Sequence, residues 1–252
     1  MSAQIGFVIA TLNSEATIDR CLRSILVEQD LIPDVVIIDG GSSDATMTIV
    51  SNYAQWISII VSEPDTGIYD AWNKGVRLLD SDWIGFIGAD DYLHSDACTI
   101  LANAIAEQKN INYLSANLDI ISSDGHVINT VGRCFEWVRF RRAMEVAHVG
   151  SLHRRSLFET YGLFDDSYHI CGDYEFLLRI GTKIKPGYVN HTIGEMTAGG
   201  ISYLSIKSLV ESRRAKLSTC AASEWEATCD FFVVALKVIT YRLLNRILSL
   251  RR

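Results

Sequence analysis

Over its first 90 residues the chain carries four short apolar runs, at 5–10, 35–38, 57–61 and 83–87, with helical patterns between them. Runs this short and this uniformly apolar suit strands buried on both faces, as in a parallel sheet covered by helices on either side. After the first run, Ile18, Cys21, Leu22, Ile25 and Leu26 trace one face of a helix, with Ser14 as its expected N-cap. Further helices are expected from near Asp44, over 67–79 and over 96–107. Strand–helix alternation with short connections predicts an α/β fold built on a doubly wound, mostly parallel sheet. Such a sheet offers ligands the carboxyl ends of its strands.

After Lys109 the pattern changes. Residues 113–121 and 126–131 read as a hairpin with Asp124-Gly125 at its turn. The stretch 133–155 holds Arg133, Arg139, Arg141, Arg142, Arg154 and Arg155. A helix over 172–180 carries Asp173 in its first turn, residues 196–202 with Gly199-Gly200 read as a mobile loop, and the remainder is helical. These changes predict a main domain over 1–200, in halves of 1–110 and 111–200, and a helical C-terminal extension over 201–252.

The net charge of −7 hides an asymmetry: from Ile201 onward nine Lys/Arg face four Asp/Glu, so residues 1–200 carry −12. An acidic body does not suggest nucleic-acid binding by the main domain and leaves a basic tail free to meet an acidic surface such as a membrane. The six cysteines are scattered, with no C-x-x-C pair and no zinc spacing, as expected of a reduced, cytoplasmic protein without disulfides. The N-terminus enters a strand pattern at once, without a leader-like segment, and no apolar run reaches the roughly 18 residues of a spanning helix.

The chemistry concentrates at the ends of the apolar runs. Asp39 closes the second and is followed by Gly40-Gly41-Ser42-Ser43-Asp44; Asp90-Asp91 closes the fourth. A phosphate-cradling G-x-x-x-x-G-K-[ST] and a dinucleotide-binding G-x-G-x-x-G are both absent. Asp39 therefore reads as an acceptor for a nucleoside's base or ribose, or as a turn residue. Adjacent carboxylates are poor core residues. Asp90-Asp91 reads as a hard-cation site holding phosphate oxygens, or as a cap and solvated turn before Tyr92. The shared position of both acidic sites at strand ends favours ligand binding.

Taken together, the ordered pieces resemble a family 2 glycosyltransferase of the GT-A fold. They are residues 7–13, Val36-Ile37-Ile38-Asp39-Gly40-Gly41-Ser42-Ser43-Asp44, the block Ser62-Glu63-Pro64-Asp65-Thr66-Gly67-Ile68-Tyr69-Asp70 with Asn73-Lys74-Gly75, and 83–91. Residues 148–155, Gly162-Leu163-Phe164-Asp165, Gly172-Asp173-Tyr174-Glu175 and Gly199-Gly200-Ile201-Ser202 continue the series. The resemblance implies a metal-dependent enzyme moving a sugar from a nucleotide sugar, UDP-linked, to a hydroxyl with inversion. It implies that Thr11 and Asp39 contact the uracil, that Asn13 and Glu15 contact the nucleotide, and that Lys74 lies near the base or phosphates. Asp90 would sit by the ribose and Asp91 would ligate the divalent metal, Mn²⁺ or Mg²⁺. Asp173 would be the catalytic base, with Glu175 as fallback, since Gly172-Asp173 stands where many relatives have Glu-Asp. The Gly199-Gly200 loop would close over the donor.

The same block resembles bacterial enzymes that build surface polysaccharides on lipid-linked carriers, implying a polyprenyl-diphosphate sugar as acceptor and a site at the inner face of the plasma membrane. His148 and His153 are candidates for acceptor or phosphate contacts, or structural residues; the arginine-rich stretch could meet a pyrophosphate. In the terminal helix Lys237, Arg242, Asn245 and Arg246 share one side, opposite an apolar arc suited to a membrane interface or a homodimer contact. The rival readings are a sugar nucleotidyltransferase and a non-catalytic nucleotide-sugar-binding protein. A processive synthase is disfavoured, because a Gln-x-x-Arg-Trp motif and spanning helices are missing.

Overall fold

The computed structural model describes residues 4–27, 29–122, 124–198 and 205–249, and the side chains of all of these except 237–239 and 241–249. The four apolar runs form β1 (Ile5–Thr11), β2 (Asp34–Asp39), β3 (Ile59–Ser62) and β4 (Trp83–Gly88). They pair in parallel in the order β3-β2-β1-β4. Between them lie α1 (Ile18–Leu26), α2 (Thr46–Ser51) and α3 (Ile68–Leu78); a short β5 (Tyr92–Leu93) and α4 (Ala97–Glu107) follow β4. The register sets Thr11 beside Asp39, Asp39 beside Ser62, and Ala10 beside Gly88. Residues far apart in sequence thus form one row along the carboxyl edge of the parallel strands.

Beyond β4 the pairing is mixed. β4 runs antiparallel to β8 (Ser151–Arg154), β8 antiparallel to β6 (Tyr113–Ile121), and β6 parallel to β9 (Pro186–Thr197), while the expected hairpin places β7 (Val127–Val131) on β6. The far end of β9 returns to pair with β5, immediately after Asp91. Helices α5 (Trp137–Phe140), α6 (Arg155–Tyr161), α7 (Gly172–Ile180), α8 (Ile206–Ser218) and α9 (Glu224–Ser249) complete the described chain.

Each buried strand feeds two cores. Phe7 and Ile9 pack with α1 and α4 on one face, whereas Val8 packs with Trp72 and Val76 of α3 on the other. Covering both faces is why these strands are apolar throughout rather than alternating. At α3 the fit is close: a Cβ on Gly75 would stand 2.1 Å from Val8 Cγ1.

Local expectations needed two corrections. Ser14 does not cap α1; its hydroxyl donates to Leu12 O, its carbonyl accepts from Thr17 N and Ile18 N, and the helix begins at Ile18. The arginine-rich stretch is also not one cluster. Arg155 donates to the carbonyls of Val76, Leu79 and Ser81, closing the end of α3, and Arg141 pairs with Glu226 of α9. Arg133 and Arg139 meet Glu145. All six cysteines are free. Gly199-Gly200-Ile201-Ser202, and the side chains of Lys237, Arg242, Asn245 and Arg246, lie outside the described residues.

Candidate active site

The carboxyl edge of β1 and β2 is built by hydrogen bonds between their following loops. Asp39, fully buried, accepts from the amides of Gly41 and Ser42 and from the hydroxyls of Ser42 and Ser62. Those four donors match the acceptor capacity of one carboxylate. A base N–H reaching Asp39 would therefore displace one of the serine hydroxyls. Asn13 Oδ1 accepts from Ser43 N at 2.9 Å, and Glu15 Oε2 accepts from Ala45 N at 2.8 Å. Both residues, expected to contact the nucleotide, tie the β1–α1 loop to the β2–α2 loop. Asn13 holds a positive φ of 49°, a conformation asparagine tolerates better than most residues. Beside them Thr11 Oγ1 is buried without a hydrogen-bond partner. A buried hydroxyl at a strand end that nothing in the chain satisfies is suited to a ligand atom.

The 62–75 block lies over the same edge. A Cβ on Gly40 would stand 2.6 Å from Asp65 Oδ2, so Asp65 occupies the space above the Asp39-Gly40 turn, and partial burial raises its pKa. Lys74 does not project freely: its ammonium donates to Pro64 O at 3.1 Å and pairs with Glu63 at 3.0 Å and Asp70 at 3.3 Å. It fixes the loop that carries Asp65.

At the end of β4 the two carboxylates differ. Asp90 is exposed; Asp91 is buried, and its Oδ2 accepts from Gly88 N at 2.7 Å. Burial, with the neighbouring Asp90 charge second, pushes the Asp91 pKa up to about 8. Both converge on one space: a Cβ on Gly88 would lie 3.0 Å from Asp90 Oδ1 and 3.0 Å from Asp91 Oδ2. Oxygen donors around a space that only glycine leaves open fit a hard divalent ion. Among the described residues no cluster of three or more potential ligands exists. Such an ion would therefore rely on water and phosphate for its remaining positions, as Mg²⁺ commonly does.

Asp173 stands in the first turn of α7 and faces a different space. Its Oδ1 accepts from Tyr174 N at 2.8 Å and from the Tyr69 hydroxyl at 3.0 Å. Burial raises its pKa to about 6. The other oxygen, Oδ2, points to His148 Nδ1 at 3.8 Å. Both residues line a cavity of about 770 Å³ bounded by β6, β7, the segment after α5, and helices α8 and α9. Its walls are mostly apolar, with Arg133, Arg142, Arg213 and Lys216 among them. Glu175 does not serve as the fallback base, because Arg179 takes both of its oxygens. His153 is enclosed by the rings of Phe86, Tyr113, Phe158 and Phe176 and belongs to the core.

Sequence reasoning gave no role to three groups around Asp173. Tyr69 bonds it directly, Trp72 packs on His148 at 4.8 Å, and Glu211 of α8 accepts from the amides of His169, Ile170 and Cys171, holding the loop before α7. Tyr69 and Trp72 sit in a legible motif; for Glu211 no signal in the sequence joins it to α7.

Comparison with known proteins bears on the family and the fold. The family pattern described as Glycosyl transferase family 2 matches residues 7–158. A PGL/p-HBAD biosynthesis glycosyltransferase of Mycobacterium bovis is 31% identical over 178 residues, covering 69% of this chain and 68% of that protein. S. aureus TarS 1-349, solved in complex with UDP-GlcNAc, superposes with a TM-score of 0.71 at 17% identity over 90% of this chain and 70% of that one. The chain spans 41% of the longer TarS structure. Glucosyl-3-phosphoglycerate synthase of Mycobacterium tuberculosis, in complex with Mn²⁺, UDP and glucosyl-3-phosphoglycerate, gives 0.62 at 16% identity over 88% of this chain and 81% of that one. At these identities the two structures speak for the fold, a GT-A-type sheet. On the family match and the mycobacterial relative together, the chain belongs to glycosyl transferase family 2.

Proposed function

We propose that the chain transfers a sugar from a UDP-linked donor to a hydroxyl acceptor, with inversion, in the assembly of a bacterial surface glycan on a lipid-linked carrier. The observation that carries this reading is the division of the site. Thr11, Asp39 and the Asp90-Asp91 pair stand along one strand edge, while Asp173 opens on a separate cavity. The donor nucleotide would lie along the edge, with Thr11 Oγ1 and the Asp39 loop at the base, and Asn13 and Glu15 holding that loop. Lys74 would keep Asp65 in place beside it. Asp91, with Asp90 on the ribose side, would hold the divalent ion. Bound there, Mn²⁺ or Mg²⁺ would offset the charge of the departing diphosphate.

Asp173 is the proposed base. Its Oδ1 is held by two donors, leaving Oδ2 to take the acceptor's proton. The hydroxyl oxygen would attack the anomeric carbon directly, and base catalysis of this kind contributes about 10²–10⁴-fold. The mixed apolar and cationic cavity walls support an acceptor carrying both a lipid and phosphate groups. Trp225, Phe232, Val233 and Leu236 of α9 are exposed, which supports a peripheral stance at the inner face of a membrane, a homodimer contact being the other occupant the test below separates. Among the described residues no helix is long and apolar enough to cross a membrane.

Calorimetry of UDP, GDP and CDP, with and without Mn²⁺, on the wild type and Asp91→Ala tests the donor site. Metal-dependent UDP binding that the variant loses is the expected result. GDP preference would move the donor assignment, and nucleotide binding indifferent to Asp91 would remove the metal role. Sedimentation with anionic vesicles, against the oligomeric state in their absence, decides what covers α9.

A further inference from the structure

Arg142 stands where two spaces of the molecule meet. With Asp230 it lines both the cavity of about 770 Å³ that holds Asp173 and a smaller one of about 220 Å³, whose other walls are Arg141, Trp225, Glu226 and Cys229. Its backbone is held from two sides. The Tyr174 hydroxyl donates to Phe140 O and Arg141 O, both at 3.0 Å, and the Lys216 ammonium donates to Arg142 O at 2.6 Å. Tyr174 adjoins Asp173 in the first turn of α7, so one turn of helix carries the proposed base and steadies the segment that presents Arg142. A merely solvated arginine needs no such mount.

The charges around it do not balance. Arg141 pairs with Glu226 at 3.1 Å, and Lys216 with Asp230 at 2.8 Å. Among the described residues no carboxylate pairs with the guanidinium of Arg142, which is exposed. Three cations, Arg141, Arg142 and Lys216, thus face two carboxylates. Burial lowers the Lys216 pKa, Asp230 raises it, and the Arg141 and Arg142 charges lower it again, so Arg142 lies close enough to be felt. Elsewhere near the rim the cations are matched: Arg133 and Arg139 share Glu145, Arg139 also reaches Glu136, and Arg213 meets Glu224. Among charges it is Glu211, not an arginine, that acts most on Asp173. The surplus positive charge therefore sits on Arg142, and a guanidinium with its planar fork free suits a phosphate.

The smaller space continues onto an apolar stripe. Trp225, Cys229, Phe232 and Leu236 follow at steps of four, three and four along α9, and Trp225, Phe232 and Leu236 are exposed. We propose that Arg142 binds the acceptor's phosphate and selects a phosphate-linked lipid over a neutral glycolipid: the sugar hydroxyl lies at Asp173 in the larger cavity, and the chain leaves past Trp225 onto α9. This rests on the transfer reaction and the role of Asp173 proposed above. The two spaces with Arg142 between them then take the acceptor's parts in the order in which they are bonded: sugar, phosphate, chain.

Calorimetry on the full chain, without metal or nucleotide, compares decyl phosphate with decyl β-glucoside below their micellar concentrations. The two probes share a chain and differ in charge. The wild type should bind the phosphate about tenfold more tightly, as a charge-assisted contact allows. Arg142→Ala should lose that preference and keep its affinity for the glucoside, whereas Arg142→Lys, which keeps the charge without the fork, should retain part of it. Trp225→Ala should weaken both probes by the same factor; unchanged binding there would overturn the path of the chain. Substitution at Arg142 leaves its carbonyl on Lys216, and Arg142→Gln repeats the measurement if alanine disturbs the fold. Equal affinities in the wild type, or a preference that survives in both variants, overturns the proposal. So does an Arg142→Ala protein that sediments less with phosphatidylglycerol vesicles yet binds decyl phosphate normally, because Arg142 would then meet bilayer headgroups instead of the acceptor. Phosphate-selective binding without sugar transfer from any UDP-sugar would instead overturn the function proposed above and leave this site standing.

Discussion

Asp91 and Asp173 are both buried carboxylates with raised pKa values, yet their surroundings give them different work. Asp173 has two donors on Oδ1 and a pKa of about 6, so it is ionised at neutral pH and able to take a proton. Asp91 has one backbone donor and a like charge nearby, and its pKa of about 8 leaves it largely protonated in the free protein. A folded-state pKa above the unfolded value means that the folded protein holds the proton more tightly. The cost of ionising Asp91 is thus absent below about pH 4, grows between pH 4 and 8, and is complete above that. In EDTA, Asp91→Asn should therefore melt higher than the wild type, by a margin that widens from pH 5 to pH 8. At this size each kcal/mol corresponds to about 2–4 °C. Adding Mn²⁺ at pH 8 should raise the wild type alone and close the margin; a margin that does not change with pH would contradict the burial argument. The acidic residues of the strand ends were legible because burying them unpaired would be so costly, which makes them conspicuous after an apolar run. Asp173 was legible only through resemblance. Tyr69, His148 and Glu211 were not legible as its partners, since their contacts cross 104, 25 and 38 positions of chain and leave no local spacing to read.

At the scale of elements, α3 does the most to position the site, because it carries Tyr69 and Lys74 and packs directly on β1. The existence of β1–β4 and of the helices between them followed from hydrophobic period alone. The close approach of α3 to β1 did not, although Asn73-Lys74-Gly75 contained the residue that permits it. Helical Gly→Ala normally gains about 1 kcal/mol. At Gly75 the new methyl would overlap Val8, which is wholly buried, and overpacking of this kind costs about 1–3 kcal/mol. Gly75→Ala should therefore show a net loss of stability in urea titrations, and a gain would mean that α3 can move away from the sheet. The other end of α3 explains why an arginine count misled. Arg155 satisfies three carbonyls there, and Arg142 is exposed on the cavity wall. Arg155→Ala should cost about 1–3 kcal/mol of stability with UDP affinity unchanged, whereas Arg142→Ala should leave the melting curve in place and raise the acceptor KM. The opposite pattern would return Arg155 to the ligand.

For the whole molecule, the question is what the C-terminal helices add to a sheet that already carries the donor edge. They do not hang from the body. Lys216 of α8 has its side chain only 4% exposed, and its ammonium donates to Arg142 O at 2.6 Å and to Asp230 of α9 at 2.8 Å. Arg141 reaches both Ala221 O and Glu226, Arg214 lies over the Tyr168 ring, and Glu211 closes the loop before Asp173. Helices α8 and α9 are thus one wall of the cavity, and the basic charge of this part of the chain is partly spent inside it. Asp230→Ala would leave the Lys216 ammonium buried without its anion, and breaking such a pair costs about 3–5 kcal/mol; because Asp230 is itself a quarter exposed, the lower end is expected. Lys216→Met combined with Asp230→Ala should recover most of that loss, since an apolar pair no longer needs a counter-charge. The functional consequence separates the two halves of the site. Loosening this wall should raise the acceptor KM while calorimetric UDP affinity stays within twofold, because no donor-edge residue touches α8 or α9 through the bonds described. A parallel loss of UDP affinity would mean that the terminal helices brace the strand edge as well, and the two spaces would then have to be treated as one site.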